Sequence, residues 1–115
     1  MRVTTDFWVS AIVRRVFSSG GFAAIERRGS SEAGAVLITQ RDRLGETTLY
    51  GPAPQTSYDS AKPDDRMFAQ MLKSTEPDAI RQRIEREMRF DPDVWLIELE
   101  VDDALFAELI QVTTP

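Results

Sequence analysis

From Val94 to Val101 the chain reads VWLIELEV, an alternation of period two. Trp95, Ile97, Leu99 and Val101 fall on one face, while Val94, Leu96, Glu98 and Glu100 fall on the other. This is the best strand in the chain, and its tryptophan side belongs against a core. The second face turns acidic halfway, so it meets water or a charged neighbour at one end. With 42% apolar and 29% charged residues in 115, the chain fits one α+β domain over residues 1–115 with a core of its own.

The remaining elements follow from period and punctuation. Trp8, Ile12 and Val16 recur at helical spacing after a Thr5–Asp6 start, and Gly20 with Gly21 ends that run, which predicts a helix over about 5–19. FAAIERR, AVLITQR and ETTLYG read as three short strands joined by antiparallel hairpins, with Gly29, Gly34 and Gly45 at the reversals where positive φ is cheap. The unalternated run from Ala35 to Ile38 marks a strand covered on both faces. Residues 51–65 have no period and read as a long loop containing Tyr58, whereas 66–73 alternate as a strand although their residue types also suit a helix. Thr75 and Asp78 form a capping box around Pro77, opening a helix with the stripe Ile80, Ile84, Met88 that ends before Pro92. Asp102 or Asp103 caps a last short helix. Together these predict a mainly antiparallel sheet of four to five strands with the two main helices packed on one face. The other face then needs cover, and a second copy or a partner protein is the physical expectation.

Histidine and cysteine are absent altogether. That removes imidazole and thiol catalysis, disulfides and the two commonest zinc ligands. No export signal or membrane span stands out, and the expected location is the cytoplasm. The formal charge of −5 is uneven: after Phe90 there are seven acids and no base, which leaves residues 1–90 with fourteen bases against twelve acids. Arg81, Arg83, Arg86 and Arg89 crowd one helix just before that acidic segment. They either neutralise it or form an electrostatic docking surface.

Three constellations bear on function. Asp91, Asp93, Glu98 and Glu100 bring four carboxylates onto a turn and the strand after it, and oxygen ligands of this kind could hold magnesium or manganese. Asp-Pro-Asp is equally ordinary turn chemistry, and Glu-x-Glu is an ordinary solvated strand face. The order helix, three strands, helix, strand invites comparison with metal-dependent nucleases. Their acid–lysine pair on the third strand is missing here, where Glu46 is followed at plus two by Thr48. Arg14, Arg15, Arg27, Arg28, Arg41 and Arg43 would form a nucleic-acid surface only if three elements converged, and an acidic chain without aromatic–basic interleaving argues against nucleic acid as a partner. Trp95 is either a recognition anchor or, with Ile97 and Leu99 beside it, a core residue.

DFWVSAIVRRV, FAAIERRG, GAVLI and above all FDPDVWLIELE resemble a family of short alphaproteobacterial proteins grouped as domain of unknown function 1491. The resemblance runs over nearly the whole chain and is most specific from Phe90 to Trp95. It implies an intact bacterial domain and brings no catalytic or binding residues with it. The expected function is a small cytoplasmic interaction or accessory protein, homodimeric, without a cofactor. It would use the strand Val94–Val101 or the long loop, with Arg14, Arg15, Tyr58, Trp95, Glu98 and Glu100 as candidate contact residues. The alternative is a divalent-metal-dependent hydrolase or nuclease built on the carboxylates of residues 91–100.

Overall fold

A computed structural model describes residues 3–54 and 66–113. The chain order is α1 (Thr5–Ser18), β1 (Phe22–Arg27), β2 (Val36–Arg41), β3 (Thr47–Pro52), β4 (Met67–Ser74), α2 (Pro77–Phe90), β5 (Trp95–Glu100), α3 (Asp103–Leu109) and β6 (Gln111–Val112). One six-stranded mixed sheet runs β1-β5-β2-β3-β4-β6. β5 is antiparallel to β1 but parallel to β2, and β6 is parallel to β4.

This corrects the expectation of four to five mainly antiparallel strands. β2 and β3 do form the expected hairpin, but β1 and β2 are not neighbours because β5 is inserted between them. The chain reaches that slot only after β3, β4 and α2, so the parallel pairing comes from a long crossover that local spacing does not reveal. β6 has two residues, too few to show a period. The segment expected at 66–73 is a strand, as its alternation suggests, and runs Met67–Ser74.

The two main helices lie on opposite faces, not on one. α1 buries Val9, Ile12 and Val16, and α3 buries Phe106, against Val36, Ile38, Trp95, Ile97 and Leu99. α2 buries Ile80 and Ile84 against Leu37 and Leu49 on the other side. β2 is therefore covered on both faces, and Val36, Leu37 and Ile38 are all buried. A stripe as narrow as Ile80–Ile84–Met88 suits either face of a sheet, which is why it could not choose between them.

Caps explain most of the boundaries. The Thr4 hydroxyl accepts a hydrogen bond from the Phe7 N–H at 3.2 Å, and Asp102 Oδ1 accepts one from the Leu105 N–H at 2.8 Å. The capping box expected at Thr75 and Asp78 does not form. Glu76 occupies the cap position without a side-chain bond, Pro77 starts the helix without an N–H to satisfy, and Ser74 Oγ accepts from the Glu76 N–H at 2.9 Å. Of the glycines expected at positive φ, only Gly45 is there, together with Gly20 at the end of α1.

Candidate functional site: a groove between the sheet and α2

α2 packs mainly on β4 and β3, and beside it the same face of β5 is only half-buried, at Leu96 and Glu98. The result is a groove of about 360 Å³. Leu96 from β5 and Ile80, Ile84 and Met88 from α2 supply its apolar lining, with Thr39 and Arg41 contributed by β2. Each strand position follows from period two: Leu37, Thr39 and Arg41 alternate on the α2 side, as do Leu96 and Glu98. β1 carries a register irregularity between Ile25 and Arg27, and Glu26 lies within it, close to Glu98 on β5.

Glu26 and Glu98 interact directly. The Glu26 carboxyl titrates above its ordinary value of 4.5, chiefly through a hydrogen bond with Glu98, with desolvation and the charge of Glu98 acting in the same direction. Glu98 also accepts a hydrogen bond from the Arg41 guanidinium at 2.9 Å. On α2, Arg81 pairs with Asp78, and Arg83 with Glu87 at 3.3 Å. Two of the four arginines of α2 thus find carboxylates on their own helix, while acids of the C-terminal segment are met from elsewhere, Glu98 by Arg41 and Glu108 by Arg15 at 3.4 Å.

The raised Glu26 value has a definite sign. The folded state holds the proton more tightly than the unfolded chain, so stability falls as pH rises above 4.5 through the folded pKa. Glu26→Gln is expected to raise the melting temperature slightly at neutral pH and to leave it unchanged in acid, where the wild-type carboxyl is already protonated. The gain is small because the side chain is largely exposed. Melting curves of the two proteins that coincide at every pH would show that the carboxylates do not interact.

The four proposed metal ligands do not come together. Asp91 Oδ1 accepts from the Asp93 N–H at 3.1 Å in a local turn, Glu98 faces Arg41, and Glu100 is exposed at the end of β5. Asp93 lies in the turn before β5 and Glu98 four residues into the strand. Among the described residues, no three acids are placed to share a metal ion.

Trp95 is 1% exposed, so it is a core residue and not a contact residue. β5 is an interior strand with both edges paired, and only its α2-side face, at Leu96 and Glu98, reaches the groove. This narrows the expectation that Val94–Val101 serves as a contact surface. Tyr58 and most of the long loop lie outside the described residues.

The arginines do not all meet on one surface, the condition a nucleic-acid interface would need. Arg14 and Arg15 stand near the C-terminal end of α1, whereas Arg28 pairs with Asp6 in its first turn at 3.4 Å, about two and a half helical turns away. Arg27 donates to the Pro92 carbonyl at 2.8 Å.

A smaller polar crevice of about 310 Å³ opens on the opposite face, among Gln40, Thr48, Tyr50, Lys73 and Asp103. Its groups are already engaged. Gln40 Nε2 donates to Asp103 Oδ1 and to the Val101 carbonyl, both at 3.2 Å, and Lys73 stands 3.7 Å from Glu46. Burial and the charge of Asp103 push the Tyr50 phenol up, against a lowering hydrogen bond with Thr48, so it stays protonated at neutral pH and is no base there. The crevice stitches α3 to the sheet.

Glu26 and Glu85, which line the groove from β1 and from α2, had no signal in the sequence that would single them out. Their relevance comes from the pairing of β1 with β5 and from the side of the sheet that α2 takes, both long-range facts. No helix among the described residues is long and apolar enough to cross a membrane.

Solved structures show the same architecture. A solution structure of a protein from A. tumefaciens is 42% identical, with a TM-score of 0.82, and the match covers 100% of this chain and 98% of that one. A crystal structure of a DUF1491 family protein from Caulobacter crescentus is 33% identical, with a TM-score of 0.78, covering 99% of this chain and 100% of the other. An NMR structure of a DUF1491 family protein from Caulobacter crescentus is 32% identical, with a TM-score of 0.77 and 99% coverage of both chains. None of the curated proteins matches. The model of the family described as "Protein of unknown function (DUF1491)" matches residues 3–107, so the chain belongs to the DUF1491 family.

Proposed function

We propose that this protein is a small cytoplasmic accessory protein that acts without catalysis, by seating a segment of a partner protein in the groove between α2 and the open part of the sheet. The half-covered sheet face carries this reading. Half-buried Leu96 and Met88, beside the buried Ile80 and Ile84, line an open channel, and carboxylates border it. The homodimer expected from the sequence had a bare sheet face as its reason. α2 occupies part of that face, and beside it lies the open channel at Leu96 and Met88, which a segment of a partner protein would cover.

Thr39 is half-buried on the groove side of β2, where a larger side chain would fill the channel. Thr39→Trp is therefore expected to abolish co-purification of the partner from an alphaproteobacterial cell while the melting temperature stays near that of the wild type. A partner recovered equally with both proteins would place the contact elsewhere. Recovery of none with the wild type would remove the reading.

A further inference from the structure

We propose that the groove takes a segment presenting an arginine or lysine beside a branched aliphatic residue, the cation seated between Glu26 and Glu85 and the aliphatic groups against Leu96, Ile84 and Met88. This rests on the groove being the working surface, and it adds the chemistry of the occupant. The argument is charge complementarity over an apolar floor.

Five charged side chains line the channel: Glu26, Glu85 and Glu98 against Arg41 and Arg81. Both cations are already committed, Arg41 to Glu98 and Arg81 to Asp78. Glu26 and Glu85 form no ion pair among the described residues. They stand on different elements, β1 and α2, so they border the channel from two sides. An incoming cation would meet two carboxylates without displacing either existing pair, whereas an incoming carboxylate would meet both as repulsion. The long stem of arginine or lysine suits the same place, because its methylenes cover apolar surface while its charged end stays near water.

The proximity of Glu26 and Glu98 on the groove is consistent with the same occupant. Glu98 raises the Glu26 carboxyl above its ordinary range, and a cation beside Glu26 would favour its ionised form, whereas protonation of Glu26 would remove the attraction. Binding should therefore weaken on acidification. The groups that set this response are Glu26 on β1, Glu98 on β5, Arg41 on β2, and Arg81 and Glu85 on α2, with the uncharged Thr47 on β3.

Three blocked peptides, Leu-Arg-Leu, Leu-Gln-Leu and Leu-Glu-Leu, titrated into the isotope-labelled full chain test this, with the backbone amides of Thr39, Leu96 and Glu98 as the readout. Leu-Arg-Leu is expected to bind up to about fivefold more tightly than Leu-Gln-Leu, the range of a partly exposed ion pair, and Leu-Glu-Leu more weakly than either. The double variant Glu26→Gln, Glu85→Gln should erase that preference and leave Leu-Gln-Leu unchanged. Equal binding of all three peptides at these amides would overturn the cationic occupant while the groove itself stands. Shifts absent for all three, or confined to other surfaces, would overturn both readings. A preference for Leu-Glu-Leu would reverse the sign of the proposal.

Discussion

Replacing Trp95 with alanine is expected to lower the stability of the fold by about 3–5 kcal/mol, the usual cost of emptying an aromatic site in a core. Two features place this substitution among the most damaging in the chain. The ring is 1% exposed and belongs to the cluster of Val9, Val36, Ile97 and Leu99, so α1 and three strand residues lose packing at once. The indole N–H also donates to the Ser30 carbonyl at 2.7 Å, and the Arg28 guanidinium lies 5.5 Å from the ring centroid. The ring therefore ties the loop between β1 and β2 to the core in addition to filling space. Domains of this size have a total stability on the order of 5–15 kcal/mol, so the variant should unfold at much lower denaturant concentration. Trp95→Phe separates the two contributions: it keeps most of the volume and loses the donor, and it should fall between wild type and alanine. A denaturation midpoint unchanged in Trp95→Ala would remove this side chain from its role as the anchor of the core.

The alternation that announced Trp95 reports which way a side chain faces and nothing about which strand lies beside it. Hence the faces of β5 could be assigned from sequence, and its position between β1 and β2 could not. α1 was readable within a residue or so of its end because cap, stripe and glycine stop agree over one continuous stretch. α2 was readable as a helix but not as the cover of the second face, since Ile80, Ile84 and Met88 would pack equally well on either side. The same limit governs the candidate site. Asp91, Asp93, Glu98 and Glu100 are close in sequence and spread along a turn and a strand in space, whereas Glu26 and Glu98 are 72 positions apart and border the same groove. Sequence proximity of acids overstated one cluster and concealed the other.

Phe90 to Trp95, the segment with the most specific family resemblance, has a structural explanation. The Pro92 carbonyl accepts from Arg27, the Asp93 carbonyl accepts from the Ser30 N–H at 2.9 Å, Asp91 Oδ1 accepts from the Asp93 N–H, and the Trp95 indole reaches back to Ser30. The turn before β5 is thus a docking post for the loop after β1. Asp-Pro-Asp supplies carbonyls and a local turn, and its carboxylates need no metal to account for their placement.

Gly29→Ala should be nearly as damaging as the loss of Trp95, for a reason that lies in the same turn. A Cβ on Gly29 would stand 2.0 Å from the Asp93 carbonyl oxygen, with the carbonyl carbons of Val94 and Asp93 at 2.7 and 2.8 Å. All three are backbone atoms, so no rotamer change relieves the clash. The loop must withdraw from the turn, and the bond from the Ser30 N–H to the Asp93 carbonyl goes with it. Overpacking together with one lost hydrogen bond predicts a cost of roughly 2–4 kcal/mol. Gly20→Ala provides the comparison. Gly20 has φ of 85° with open space around its Cβ position, so alanine there meets only backbone strain, roughly 1–2 kcal/mol. Chemical denaturation of the two variants should therefore rank Gly29→Ala as the less stable. In hydrogen exchange, Gly29→Ala should expose the Ser30 amide selectively, while Gly20→Ala leaves it protected. The opposite ranking, or a Ser30 amide still protected in Gly29→Ala, would mean that the loop does not need to press against the Asp-Pro-Asp turn.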